Sequence, residues 1–210
     1  MPSFETVLLF IGATMALLVV PGPAVVYIVT RSVAQGRAAG LVSVVGIHVG
    51  SIFYVLLTSL GMSALLLASS TAFEIVKWLG VAYLVWLGIQ KLWLQRTDDG
   101  SVEEPPEMSK LRIFAQGVLV NVLNPKTLVF FVAFLPQFVD PALGGVATQL
   151  LFFGIGFIVL GIISDGAYAL LASALSGRLR RTAKARRRLD LSSGMIYLLL
   201  GAVAATVSQA

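Results

Sequence analysis

The residues of this chain able to do chemistry are few, and they sit where chemistry is expensive. Pro21-Gly22-Pro23 and Asn124-Pro125-Lys126 each interrupt an apolar segment of membrane-crossing length, and His48 and Asp165 lie deep in two others. Bilayer hydrocarbon offers a broken backbone no water, so such breaks persist only where protein or a hydrated cavity satisfies the freed N–H and C=O groups. Asn124 is a favoured N-cap and Pro125 a favoured first helical residue, so one half-helix is expected to end near Leu123 and a second to start at Pro125. By the same logic Gly22 is a cap-like hinge and Pro23 opens a half-helix. Each break would set a positive helix N-terminus, suited to a carboxylate, beside a carbonyl end, suited to an ammonium or a cation. A zwitterion such as an amino acid uses both. Pro21, Gly22, Pro23, Ala24, Asn121, Asn124, Pro125 and Lys126 are therefore the candidate substrate-binding residues, and Asp165 and His48 the candidates for proton or ion coupling.

Each has a blander reading. A proline can simply kink a transmembrane helix. Asp165 and Lys126 can form a static ion pair that locks two helices. Lys126 can meet a substrate carboxylate or cap nearby carbonyls. His48 lies on a stripe of Gly36, Gly40, Ser43, Gly46 and Gly50, where it can pack as readily as relay a proton. Asn121 can donate to a substrate or bridge helices, and Gly80, Gly88, Gly154, Gly161, Gly194 and Gly201 read as packing glycines. What favours function is the pairing, because one broken helix in each half marks a transporter built from two repeats.

The elements that must position these groups follow from composition. At 58% hydrophobic and 12% charged residues, the chain has about half the charge of a soluble domain. Six apolar runs, residues 4–29, 40–68, 73–94, 113–138, 147–174 and 191–207, each approach or exceed the ~20 residues needed to cross. All of the 15 Lys and Arg residues except Lys77 and Lys126 fall in or beside three links: after the first span, between the third and fourth, and between the fifth and sixth. The positive-inside rule makes those links cytoplasmic and leaves both termini outside. The basic run from Arg178 to Arg188 could bind nucleic acid or anionic lipid, but it lacks interleaved aromatics and sits where topology alone predicts it, so it is read as an inner-face signal; membrane lipids and no nucleic acid are the expected partners of the chain. Counted from the nearest cytoplasmic base, Gly22, His48, Asn124, Lys126 and Asp165 all lie ~14–21 Å deep, in one layer near mid-bilayer. Met1 to Glu5 lacks a positive n-region, so the first span is expected to be retained.

The expected fold is an all-α membrane protein with six transmembrane helices as a 3+3 inverted repeat and with helices 1 and 4 broken. Residues 1–210 form one polytopic domain with halves at about 1–97 and 110–210. Without cysteine, with one histidine and with neither Gly-x-Ser-x-Gly nor His-Glu-x-x-His, it carries no enzyme, metal or cofactor constellation. Small-residue stripes are compatible with a homodimer.

Several motifs in order carry a resemblance. Pro21-Gly22-Pro23, Arg37-Ala-Ala-Gly40 leading to Gly46 and Gly50, Leu79-Gly80-Val-Ala-Tyr83-Leu84 with Gly88, Asn121-Val-Leu-Asn124-Pro125-Lys126 and Phe134-Leu135-Pro136-Gln137-Phe138 together resemble the LysE/RhtB amino-acid exporters. That family includes homoserine, threonine and leucine efflux proteins. The resemblance implies a multi-pass bacterial inner-membrane exporter that moves small amino acids or related metabolites by proton antiport. With Asp165 the sole acidic residue deep in a span, the expected substrates are neutral or apolar amino acids. A channel and a non-transporting membrane scaffold or subunit are the alternative classes.

Overall fold

The computed structural model describes residues 2–62 and 107–176, together with Ile75, Trp78, Ala82, Val85, Trp86 and Ile89. Helix α1 spans Phe4–Val19 and opens on Ser3, whose hydroxyl accepts from the Thr6 amide. After Val20-Pro21-Gly22 the chain re-enters helix as α2, Pro23–Leu57, with Gly22 at the N-cap and Pro23 in the first turn. Helix α3 spans Lys110–Val122, and α4 spans Pro125–Val129, which winds on through a π turn, Phe130–Phe134, and a 3-10 turn, Leu135–Phe138. Helix α5 spans Val146–Ala174. Among the described residues every regular element is helical. Both breaks lie where the prolines placed them, and α3 meets the Pro125–Phe138 segment at a bend of 48°.

The first connection differs from expectation. In place of a loop after Val29, helix runs on both sides of Gly36, which alone departs from helical geometry at φ 79, ψ −177. A Cβ on Gly40 would overlap Ser32 Oγ. In a straight helix eight residues span ~12 Å, so Pro23–Leu57 is folded into a tight hairpin at Gly36. Ile28 packs with Val44 in the same way, equidistant from the turn. Arg31, expected in a cytoplasmic loop, is instead buried on the first arm, with its guanidinium 5.8 Å from the centre of the Tyr27 ring. Gln35, beside the turn, clamps the Met108 backbone from both sides, donating to its carbonyl at 2.9 Å and accepting from its amide at 3.2 Å. Gly36 φ lies in a region that L side chains rarely enter, while nothing stands within 4 Å of its absent Cβ. Gly36→Ala is therefore a pure backbone test. A cost of about 1–3 kcal/mol is expected in thermal or denaturant unfolding of the detergent-purified protein.

Val146–Ala174 is long and apolar enough to cross a membrane, Pro23–Gly61 qualifies by length and composition although the hairpin at Gly36 divides it, and the bent pair Lys110–Val122 and Pro125–Phe138 qualifies as a broken span. Helix α1 is shorter, but joins the first arm of α2 across the break. Ile75, Trp78, Ala82, Val85, Trp86 and Ile89 are helical and spaced to share one face of the expected third span. The expected sixth span and the basic link from Arg178 lie outside the described residues.

Burial is inverted relative to a water-soluble protein. Leu9, Val45, Phe53, Ile155 and Ile163 point outward, while Thr14, Ser43, His48, Asn121, Lys126 and Asp165 are buried. That is the distribution expected when hydrocarbon is the solvent, with small residues letting helices approach. The stripe on the second arm of α2 works in that way. A Cβ on Gly46 would collide with the Phe114 carbonyl of α3, Gly117 Cα lies 3.2 Å from the same point, and Gly50 faces the Val118 carbonyl and Asn121. Elsewhere the core is aromatic: Phe10, Phe130, Phe134, Phe138, Phe153 and Phe157 form a continuous set of tilted and edge-on ring contacts.

Candidate functional site

The two breaks face one another across a cavity of ≈ 30 Å³. It is lined by Gly22 and Ala24 from the first break, Asn124 and Lys126 from the second, His48 and Ser51 from α2, Asn121 from α3 and Asp165 from α5, with Leu17, Leu18, Ile47 and Phe157 as apolar walls. The polar groups that sequence counting placed at one depth thus converge on one point. Pro21, Pro23 and Pro125 shape the breaks without lining the cavity. The volume is small beside ligand pockets of about 300–1,000 Å³, so the walls must part for an organic substrate to enter.

At the first break, Val20 ends α1 in extended geometry and is fully buried, so its carbonyl points past the last turn with no helix to receive it. Gly22 offers α2 no side-chain cap. The amides of Ala24 and Val25, in the first turn, therefore lack intrahelical acceptors, and both residues line the cavity. The second break is chemically different: Asn124 Oδ1 accepts from the Lys126 amide at 3.1 Å, so one of its N–H groups is already capped. The two breaks are not equivalent anion sites, as the sequence had implied. The open amide end is the first.

Lys126 crosses from the second break to the first. Its Nζ donates to the Val20 carbonyl at 2.6 Å. Of the two readings open from sequence, the structure has Lys126 capping a carbonyl. The static Asp165–Lys126 ion pair is not what forms; the ion-pair partner of Asp165 is His48, with Nε2 to Oδ2 at 3.2 Å. That contact is close but lacks hydrogen-bond alignment, and His48 Nδ1 has no hydrogen-bond partner either. Gly161 explains how the pair fits, because a Cβ there would run into the His48 ring, with the two ring nitrogens only 3.1 and 3.2 Å away. Gly161 is a packing glycine, as expected, but what it packs against is the imidazole.

Asn121 bridges helices. Its Nδ2 donates to Ser51 Oγ and its Oδ1 accepts from Thr127 Oγ1, both at 3.0 Å, which ties α2, α3 and α4 together. Ser51 and Thr127 escaped the sequence reading because hydroxyls are common in membrane helices and usually bond their own backbone.

Two tyrosines escaped it as well. Tyr168 of α5 donates to the Val19 carbonyl at 2.8 Å, at the end of α1, and Tyr54 of α2 donates to the Val122 carbonyl at 2.6 Å, at the end of α3. Each broken helix therefore ends on a tyrosine from a neighbouring helix. A tyrosine in a membrane sequence ordinarily signals the interface, so only the breaks themselves hinted at a need for donors at this depth. Tyr54 is 2% exposed, and Tyr54→Phe leaves the Val122 carbonyl without that donor. The expected loss is about 1–3 kcal/mol in thermal unfolding, larger than for the half-buried Tyr168→Phe.

Broken helices with a buried histidine–carboxylate pair and a lysine between them define a polytopic membrane protein with a buried polar centre, and comparison with known proteins agrees with a membrane protein. The chain belongs to the LysE type translocator family, which it matches over residues 15–208. It is 34% identical to an uncharacterized membrane protein of Vibrio cholerae over 89% of each chain. It is 31% identical to the homoserine/homoserine lactone efflux protein of Salmonella typhimurium over 99% of this chain and all of that one. It is 25% identical to the leucine efflux protein of an Enterobacter species over 92% and 90% of the two. No solved structure matches the chain.

Proposed function

We propose that this protein is a secondary transporter that exports small neutral amino acids or close derivatives across the bacterial inner membrane by proton antiport. The observation that carries this reading is the first break. Within a few residues it offers a buried carbonyl at Val20 that no helix receives and only the Lys126 side chain meets, and open amides at Ala24 and Val25, facing the buried His48–Asp165 pair. A substrate carboxylate would rest on the amides and its ammonium on the carbonyl side, near Asp165. Protonation of Asp165 would weaken the hold on the ammonium, and so link proton entry to substrate release. The apolar walls suit short apolar or hydroxylated side chains, in keeping with relatives named for leucine and homoserine efflux.

The similar tyrosine contacts at both breaks support a 3+3 inverted repeat within a single domain, and the placement of Lys and Arg along the sequence supports both termini outside the cytoplasm. The decisive experiment is efflux from cells preloaded with homoserine, leucine and a panel of other neutral amino acids, with and without a collapsed proton gradient. Saturable, gradient-dependent export of one or more of them is expected. Gradient-independent movement would refute antiport, and export of nothing in the panel would refute the substrate class.

A further inference from the structure

Lys126 is a buried cation that the transport scheme above leaves without a task. The residue is 7% exposed and its ammonium sits on the Val20 carbonyl, the group to which that scheme assigns the substrate's own ammonium. Asp165 and the unpartnered His48 nitrogens face the same cavity. A carbonyl end buried with no donor is costly, so whatever normally meets it must be replaced whenever it leaves.

We propose that Lys126 is a built-in stand-in for the substrate ammonium. Resting on the amino-acid reading given above, the assignment is that Nζ satisfies Val20 while the carrier is unloaded. An incoming ammonium displaces it, and the freed lysine turns to the substrate carboxylate. The carrier then presents a satisfied first break both loaded and unloaded, which an exporter needs in order to reset without cargo. Substrates lacking a free amino group cannot displace the lysine, so the device also selects for primary ammonium compounds. The arrangement is specific to the second break reaching across to the first: Asn124 anchors the Lys126 amide, and the side chain spans the cavity from there.

Two measurements test this. In proteoliposomes, Lys126→Gln is compared with wild type for net efflux and for one-to-one exchange of homoserine and of leucine. If the lysine serves the unloaded return, the ratio of net efflux to exchange falls by about tenfold or more, the scale of one charge-assisted hydrogen bond. An unchanged ratio with both activities measurable overturns the assignment, and if both are lost the methylammonium measurement decides it. Separately, purified Lys126→Ala is heated with methylammonium chloride or with sodium chloride at equal ionic strength. Methylammonium is expected to raise its Tm by roughly 3 °C while leaving wild type unmoved. Equal shifts in both proteins, or none in the variant, overturn it. The second measurement needs no transported substrate. A wild type that moves neither homoserine nor leucine therefore counts against the carrier reading alone, and the methylammonium result still decides the role of Lys126.

Discussion

Asp165→Asn is expected to reduce gradient-driven efflux by roughly thirtyfold or more at equal membrane abundance. Breaking a buried ion pair, as His48–Asp165 is when the imidazole is protonated, costs about 3–5 kcal/mol, and each 1.4 kcal/mol is about a decade. Asparagine nearly matches the shape of the residue it replaces, so the packing of α5 against α2 is kept while the carboxylate beside His48 is lost. A readout of energy coupling separates the two roles open to this carboxylate. If Asp165 couples protons to substrate, residual transport by the variant no longer responds to an imposed pH gradient. If it is only a structural partner of His48, the variant is less stable but what survives stays gradient-driven. Normal proton-driven export by Asp165→Asn would move the coupling site elsewhere.

The largest structural effect belongs to Gly46. Its missing side chain is where the Phe114 carbonyl sits, and Gly117, its counterpart on α3, lies within 3.1 Å of the Ser43 carbonyl by the same measure. Backbone stands against backbone at this crossing, so no rotamer change can make room. Gly46→Ala forces the helices apart at a cost of about 1–3 kcal/mol, and Gly46→Val is expected to abolish the monodisperse peak of the detergent-extracted protein. Gly166→Ala, on α5 with nothing within 4 Å of the added methyl, is the matched control and should extract normally. Comparable losses for both variants would show that the crossing is not the cause.

How far the sequence could be read depended on which coordinate a residue needed. Depth was legible: apolar run lengths and the nearest basic residues put Gly22, His48, Asn124, Lys126 and Asp165 in one layer, and they meet around one cavity. Proline and asparagine chemistry is local, so both helix restarts were legible to the residue. Azimuth was not. Which of His48 and Lys126 faces Asp165 depends on how helices are rotated about their axes, and an all-round apolar helix such as α5 carries no stripe to reveal it. The turn at Gly36 was hidden for a different reason: Arg31 and Gln35 look like loop residues, but the first spends its charge over a tyrosine and the second on the backbone of Met108, so both stay in helix. Tyr54 and Tyr168 were invisible because their task, receiving the ends of broken helices, exists only once the breaks are placed in space.

The aromatic cluster and the glycine crossing yield in different ways. A phenylalanine can swing aside about two torsions while its helix stays put, so the packing of Phe10, Phe130, Phe138 and Phe153 can loosen ring by ring. Backbones in contact have no such freedom, and the crossing built on Gly46 and Gly117 must either hold or part as whole helices. One part of this core is thus a curtain and the other a door.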